Sequence, residues 1–167
     1  MCIRDRKDHA VGKRVTSCDK EVLVHKLSEI SPVESRTLPA PYKHCYYDIE
    51  TLGLDPDASA VIQVSLVFEQ RSNLEKHVVC LDMTSDVEGA HVHSCATEAE
   101  VLLKTRALII EHDPDFLVTY NGVNFDNNFL ATRADAKHAW KYKIEEFFYL
   151  SRFALRPTRL RELAQTG

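Results

Sequence analysis

The stretch His44-Cys45-Tyr46-Tyr47-Asp48-Ile49-Glu50 is rich in strand formers and runs directly into Thr51-Leu52-Gly53-Leu54-Asp55-Pro56-Asp57, a segment dense in turn residues. It reads as a strand followed by a loop. Side chains alternate between the two faces of a strand, so Asp48 and Glu50 project together to one side while Ile49 points into the core. Two carboxylates held this close repel unless a cation or a shared proton compensates, and their hard oxygens suit Mg2+ or Mn2+. Taken alone, the pair is explained more economically as an exposed strand end beside a turn.

Working outward, Ala60 to Glu69 places Ile62, Val64, Leu66 and Phe68 on one face with the period of two expected of a strand, and Lys76 to Leu81 repeats the signal more briefly. Three strands on short loops are most simply an antiparallel meander. Thr97-Glu98-Ala99-Glu100 matches a capping box, and Val101, Leu102, Thr105, Leu108 and Ile109 recur at helical spacing until Asp113-Pro114 stops the helix. Phe116 to Tyr120 is a short strand of the buried type. Asn121-Gly122 then turns the chain into a helical segment from Phe125 to Ala136. The order β-β-β-α-β-α suits an α/β mixed sheet whose fourth strand lies beside the first, the start of a ribonuclease H-like arrangement. Asp126 follows the fourth strand and opens a helix, so pairing of the first and fourth strands brings it toward Asp48 and Glu50 as a third carboxylate.

Composition bounds the alternatives. Apolar residues make up 44% and charged residues 28% of the 167, ordinary for a globular chain and unlike a disordered or collagen-like one. The longest apolar stretches fall well short of the roughly 18 to 20 residues of a membrane span, and the start of the chain does not read as a secretory signal. Met1 to Arg6 resembles translated adaptor sequence. Up to about Pro41 the chain reads as an extension punctuated by Pro32, Pro39 and Pro41, which divides it at residue 40 into an N-terminal extension and a main domain over 41–167.

The five cysteines, Cys2, Cys18, Cys45, Cys80 and Cys95, contain no C-x-x-C pair, so neither a zinc site nor a disulfide framework is indicated and a reducing compartment fits. His91-Val92-His93 lacks a further ligand nearby and reads as an exposed loop. The net charge of −4 is uneven: Arg133 to Glu162 holds eight Lys or Arg against four acids, a local +4 that leaves −8 elsewhere. That strip is either a solvated helix face or a phosphate-facing surface.

Tyr47-Asp48-Ile49-Glu50-Thr51 resembles the first exonuclease motif of family B DNA polymerases, and Thr119-Tyr120-Asn121-Gly122-Val123-Asn124-Phe125-Asp126 resembles the second. Asn128 to Ala134 is similar to the helix that follows that motif in delta-type enzymes, and Ala40-Pro41-Tyr42 is like the entry to the domain in that group. The D-I-E-T run is weak by itself, whereas both motifs in order and in their strand and strand-helix contexts are specific. The resemblance implies that Asp48, Glu50 and Asp126 hold two Mg2+ or Mn2+ ions, which activate a water and stabilise the leaving 3′ oxygen of a terminal phosphodiester. It implies that Thr51, Asn121 and Phe125 contact the frayed single-stranded primer 3′ end of DNA, although a core aromatic is an equal reading of Phe125. It also implies a parent enzyme that uses deoxynucleotides in DNA replication, in the nucleus or at a viral replication site, with accessory subunits and a sliding clamp as further partners.

The family's third motif, Tyr-x-x-x-Asp, is absent, since Tyr142 and Tyr149 are followed four residues later by Glu146 and Phe153. The expectation is therefore a partial 3′→5′ exonuclease domain, incomplete at its C-terminus and with little nuclease activity by itself. A stand-alone exonuclease of the same carboxylate superfamily, and a non-catalytic ribonuclease H-like module that binds DNA or protein, are the alternatives. Intact carboxylates at positions 48, 50 and 126 count against the second.

Overall fold

The computed structural model describes residues 4–5, 22–23, 26–29, 40–135 and 145–150. Two short strands near the N-terminus, β1 (Arg4–Asp5) and β2 (Val22–Leu23), pair with each other. The main sheet is built from β3 (Lys43–Thr51), β4 (Val61–Gln70), β5 (Asn73–Leu81), β6 (His91–Cys95) and β7 (Phe116–Val118), in the order β6-β5-β4-β3-β7. Strands β3, β4 and β5 form the expected antiparallel meander, and β7 lies parallel to β3 as the crossover predicts. With helices α1 (Glu98–His112) and α2 (Asp126–Ala134), this is an α/β mixed sheet of the ribonuclease H-like kind.

One face of the sheet makes the core. Cys45, Tyr47 and Ile49 of β3 and Val64, Leu66 and Phe68 of β4 pack against Val101, Leu102, Leu108 and Ile109 of α1 and Phe129, Leu130 and Ala134 of α2. The five residues read from the sequence as the inner face of α1 are the five that are buried. Both the start and the stop signal operate. Thr97 accepts the Glu100 amide, Glu100 reaches back to the amide of Ala96, and Asp113 takes a left-handed conformation (φ 45°) before Pro114. The Lys43 ammonium donates to the carbonyl of His112, placing a cation on the negative end of α1 and tying it to the start of β3.

Three expectations need correction. In β4 the buried residue at the start is Val61, not Ile62, because the register between β3 and β4 shifts after Glu50: Glu50 faces Gln63 but Thr51 faces Val61. Ile62 is the extra residue of a bulge, which a simple period of two cannot anticipate. The His91 loop is instead the edge strand β6, parallel to β5, with His91 opposite His77 and His93 opposite Val79. The third concerns β7, whose Phe116, Leu117 and Val118 are 48%, 46% and 37% exposed rather than buried, because β7 is an outer strand of the described sheet.

Candidate functional site

Strand β3 delivers the first pair of carboxylates as its alternation requires: Ile49 is buried, and Asp48 and Glu50 are exposed on the opposite side. The β4 bulge lies beside Glu50: pairing skips Ile62 and resumes between Thr51 and Val61, an interruption of the kind that increases the local twist of a strand. Thr51 is half-buried, and its hydroxyl donates to the carbonyl of Gly53 at 2.7 Å, closing the turn that follows.

Parallel pairing of β3 with β7 sets Tyr46 opposite Val118, so the chain leaves β7 level with Tyr47 and Asp48. The turn from Thr119 to Phe125 is held by its own backbone: the amides of Asn124 and Phe125 donate to Asn121, and the amide of Asn127 donates to Gly122. Gly122 suits that turn, because a Cβ there would run into the side-chain methyl of Thr119 and force it to rotate. Asn121 itself is exposed. Phe125 is partly buried and packs on the core, with its ring centroid 5.3 Å from that of Phe129.

Asp126 opens α2 and is only 3% exposed. A carboxylate in the first turn of a helix is favoured by the N-terminal dipole, but burial without an opposite charge remains costly. No ion pair reaches Asp126 among the described residues. Its neighbour is Tyr47, whose phenol is held well above the ordinary range by burial first, by the Asp126 carboxylate next and then by Cys45. The Tyr47 hydroxyl also donates to Oδ1 of Asn127, pinning the start of α2 to β3. Replacing Tyr47 by Phe should therefore cost about 1 to 2 kcal/mol in urea unfolding, since the Asn127 carbonyl loses its donor in a part-buried setting.

The structure thus brings Asp48 and Glu50 onto one strand face and Asp126 onto the adjoining helix start. Among the described residues these three do not draw their ligand oxygens into one tight group; the side chains that do so are Glu75, His77 and His112. The first of the basic residues, Arg133, does not face solvent. Its guanidinium forks onto Glu98, with Nε donating to Oε1 at 2.8 Å and Nη2 to Oε2 at 2.5 Å, and Nη1 donates to the carbonyl of Pro56. The rest of the strip falls mainly outside the described residues, as do the side chains of Glu145 and Glu146.

Residues 2–154 match the model of the exonuclease domain of DNA polymerase family B. The chain belongs to that family. It is 34% identical over 146 residues to the DNA polymerase delta catalytic subunit of Dictyostelium discoideum, covering 83% of this chain and 13% of that protein. The delta catalytic subunit of Glycine max is 33% identical over 160 residues, 90% of this chain and 14% of the relative. The DNA polymerase catalytic subunit of human herpesvirus 7 is 31% identical over 119 residues, 66% of this chain and 12% of the relative. The chain therefore spans about an eighth of the length of these family B relatives. Exonuclease domains of this family generally use divalent metal ions. The donor set here fits that habit: three carboxylates, of which one is buried with no cation paired to it among the described residues.

Sequence reasoning missed Glu75, His77 and His112. They lie on a strand and at a helix end, and nothing in their sequence spacing announces that α1 folds back over β5.

Proposed function

We propose that this chain is the part of a delta-like, DNA-directed DNA polymerase that carries the proofreading exonuclease site, with residues 41–167 as the exonuclease portion and the preceding residues as an extension or the end of another domain. What supports the reading is that the carboxylates of both motifs sit on neighbouring elements: Asp48 and Glu50 on β3, and Asp126 at the start of α2, a few residues after the strand β7 that pairs with β3.

Asp48, Glu50 and Asp126 would hold Mg2+ or Mn2+. Two such ions supply an activated water and a stabilised leaving oxygen for hydrolysis of the terminal phosphodiester, releasing a deoxynucleoside monophosphate. The residues of the chain do the positioning. Tyr47 holds the start of α2 against β3, and so fixes Asp126 relative to the strand that bears the other two carboxylates. Asn121, exposed on the turn, offers an amide to the single-stranded primer end, and the face of Phe125 not packed on the core offers a stacking surface. Thr51 contributes its hydroxyl at the rim, next to the bulge. DNA is then the partner, with deoxynucleotides, accessory subunits and a sliding clamp belonging to the whole enzyme, in the nucleus or at a viral replication site.

The test is to offer the complete protein a primer with a mismatched 3′ end. Release of deoxynucleoside monophosphate in Mg2+, stopped by EDTA and faster than from a paired end, is the expected result. The 167-residue chain assayed alone should release little, because a site lacking one of its ligands loses geometry as well as charge. Metal-independent release by the complete protein would refute the reading; full activity of the chain alone would refute only the expectation that it is inactive by itself.

A further inference from the structure

On the core side of the sheet, near the end of α1, four histidines gather. His77 of β5 lies 5.1 Å (ring centroid to centroid) from His91, 5.4 Å from His93 and 5.1 Å from His112. Glu75, two residues before His77 on β5 and so on the same face, places Oε1 3.2 Å from Nε2 of His77 and 3.7 Å from Nε2 of His112. All three ligand atoms lie within 4.8 Å of one another.

We propose that Glu75, His77 and His112 form a binding site for a transition-metal ion of the Zn2+ class, separate from the carboxylate centre. The donor set differs in kind. Two imidazoles and one carboxylate suit Zn2+, whereas Mg2+ and Ca2+ prefer oxygen alone. With metal–ligand bonds of about 2.0 to 2.1 Å, tetrahedral ligands stand roughly 3.3 to 3.5 Å apart. The separations of 3.2 and 3.7 Å from the glutamate oxygen bracket that value, and all three ligand atoms, within 4.8 Å of one another, need only a small closing movement to meet on one ion.

The surroundings are those of a supported ligand. When Nε2 of His77 faces the ion, its Nδ1 carries the proton, and Nδ1 lies 3.1 Å from Nε2 of His93, which can accept it. His112 is held flat against Phe68, with ring centroids 3.9 Å apart and planes 13° from parallel. Glu75 is half-exposed, so water can reach an ion at this site from its side. An ion here would fasten the C-terminal end of α1, just before β7, to β5. The carboxylate pair is elsewhere: Glu75 is level with Cys45 of β3, while Glu50 is five residues further along and on the other face, about 17 Å away along the strand.

The test is a titration of the metal-free 167-residue chain, first shown by far-ultraviolet circular dichroism and a cooperative melt to be folded, with Co2+ in excess Mg2+, followed by displacement with Zn2+. The expected result is about one Co2+ per chain with the intense visible absorption of a tetrahedral centre, lost on adding Zn2+. Glu75→Gln, a substitution at a half-exposed position, and His112→Ala should each weaken binding at least tenfold, and Asp48→Asn should leave it unchanged. Weak octahedral absorption, or binding unaltered in both the Glu75 and the His112 variants, would overturn the proposal. Because the readout is a spectrum in excess Mg2+, it does not depend on whether the exonuclease reading holds.

Discussion

Replacing Asp48 and Glu50 together by alanine in the complete protein is expected to reduce release of mismatched 3′ nucleotides by at least about a hundredfold. Groups that merely orient a metal ligand cost roughly 10- to 100-fold when removed, and direct ligands should cost no less. The loss should be chemical, not structural. Both side chains are exposed on the face of β3 away from the core, so thermal melting should be unchanged or slightly improved by relief of like-charge repulsion. A hundredfold loss accompanied by a large fall in melting temperature would instead mean that the pair serves the fold.

The second large effect concerns stability. Glu98 sits in the first turn of α1, accepts the backbone amide of Val61 at the start of β4, and receives the Arg133 fork from α2. Three elements meet on one carboxylate. The two side chains are 18% and 4% exposed, so the pair is largely desolvated, and the Arg133 hydrogen bond to Glu98 raises the arginine further above its ordinary range. Breaking such a pair leaves an uncompensated buried charge, at a cost of about 3 to 5 kcal/mol. Arg133→Ala and Glu98→Ala should each lose that much in chemical denaturation. Because they interrupt one interaction, the double variant should lose much less than the sum of the two. Additive losses would show that the fork contributes little and that the side chains act through separate packing.

The same pair shows where the sequence was readable and where it was not. Helix α1 was legible down to its inner face, because a capping box, a 3.6-residue period and a proline stop are all local signals. The pairing of β7 with β3 was legible from element order and the handedness of crossovers. The bulge that moves Val61 inward in place of Ile62 was not, since it depends on how two strands end against each other. Nor was β6, because a strand of alternating histidine, valine and serine gains its place only from the backbone of β5. Arg133 looked like part of a basic surface strip because its partner Glu98 is 35 residues away. Of the candidate site, Asp48 and Glu50 were fixed by simple alternation, while the position of Asp126 beside Tyr47 required the parallel pair to be formed first. Glu75, His77 and His112 come together only through packing of the end of α1 over β5, a contact with no signature in residue spacing.

In the proposed site one strand and one helix start, far apart in sequence, supply a single metal centre. The decisive measurement is electron paramagnetic resonance of Mn2+ bound to the complete protein with a single-stranded primer end. Two ions held about 3.5 to 4 Å apart should give a spin-coupled spectrum. Asp126→Ala should abolish the coupling, as should loss of Asp48. Mn2+ that binds as isolated ions, with a spectrum indifferent to Asp126, would mean that the strand and the helix start do not share a metal centre.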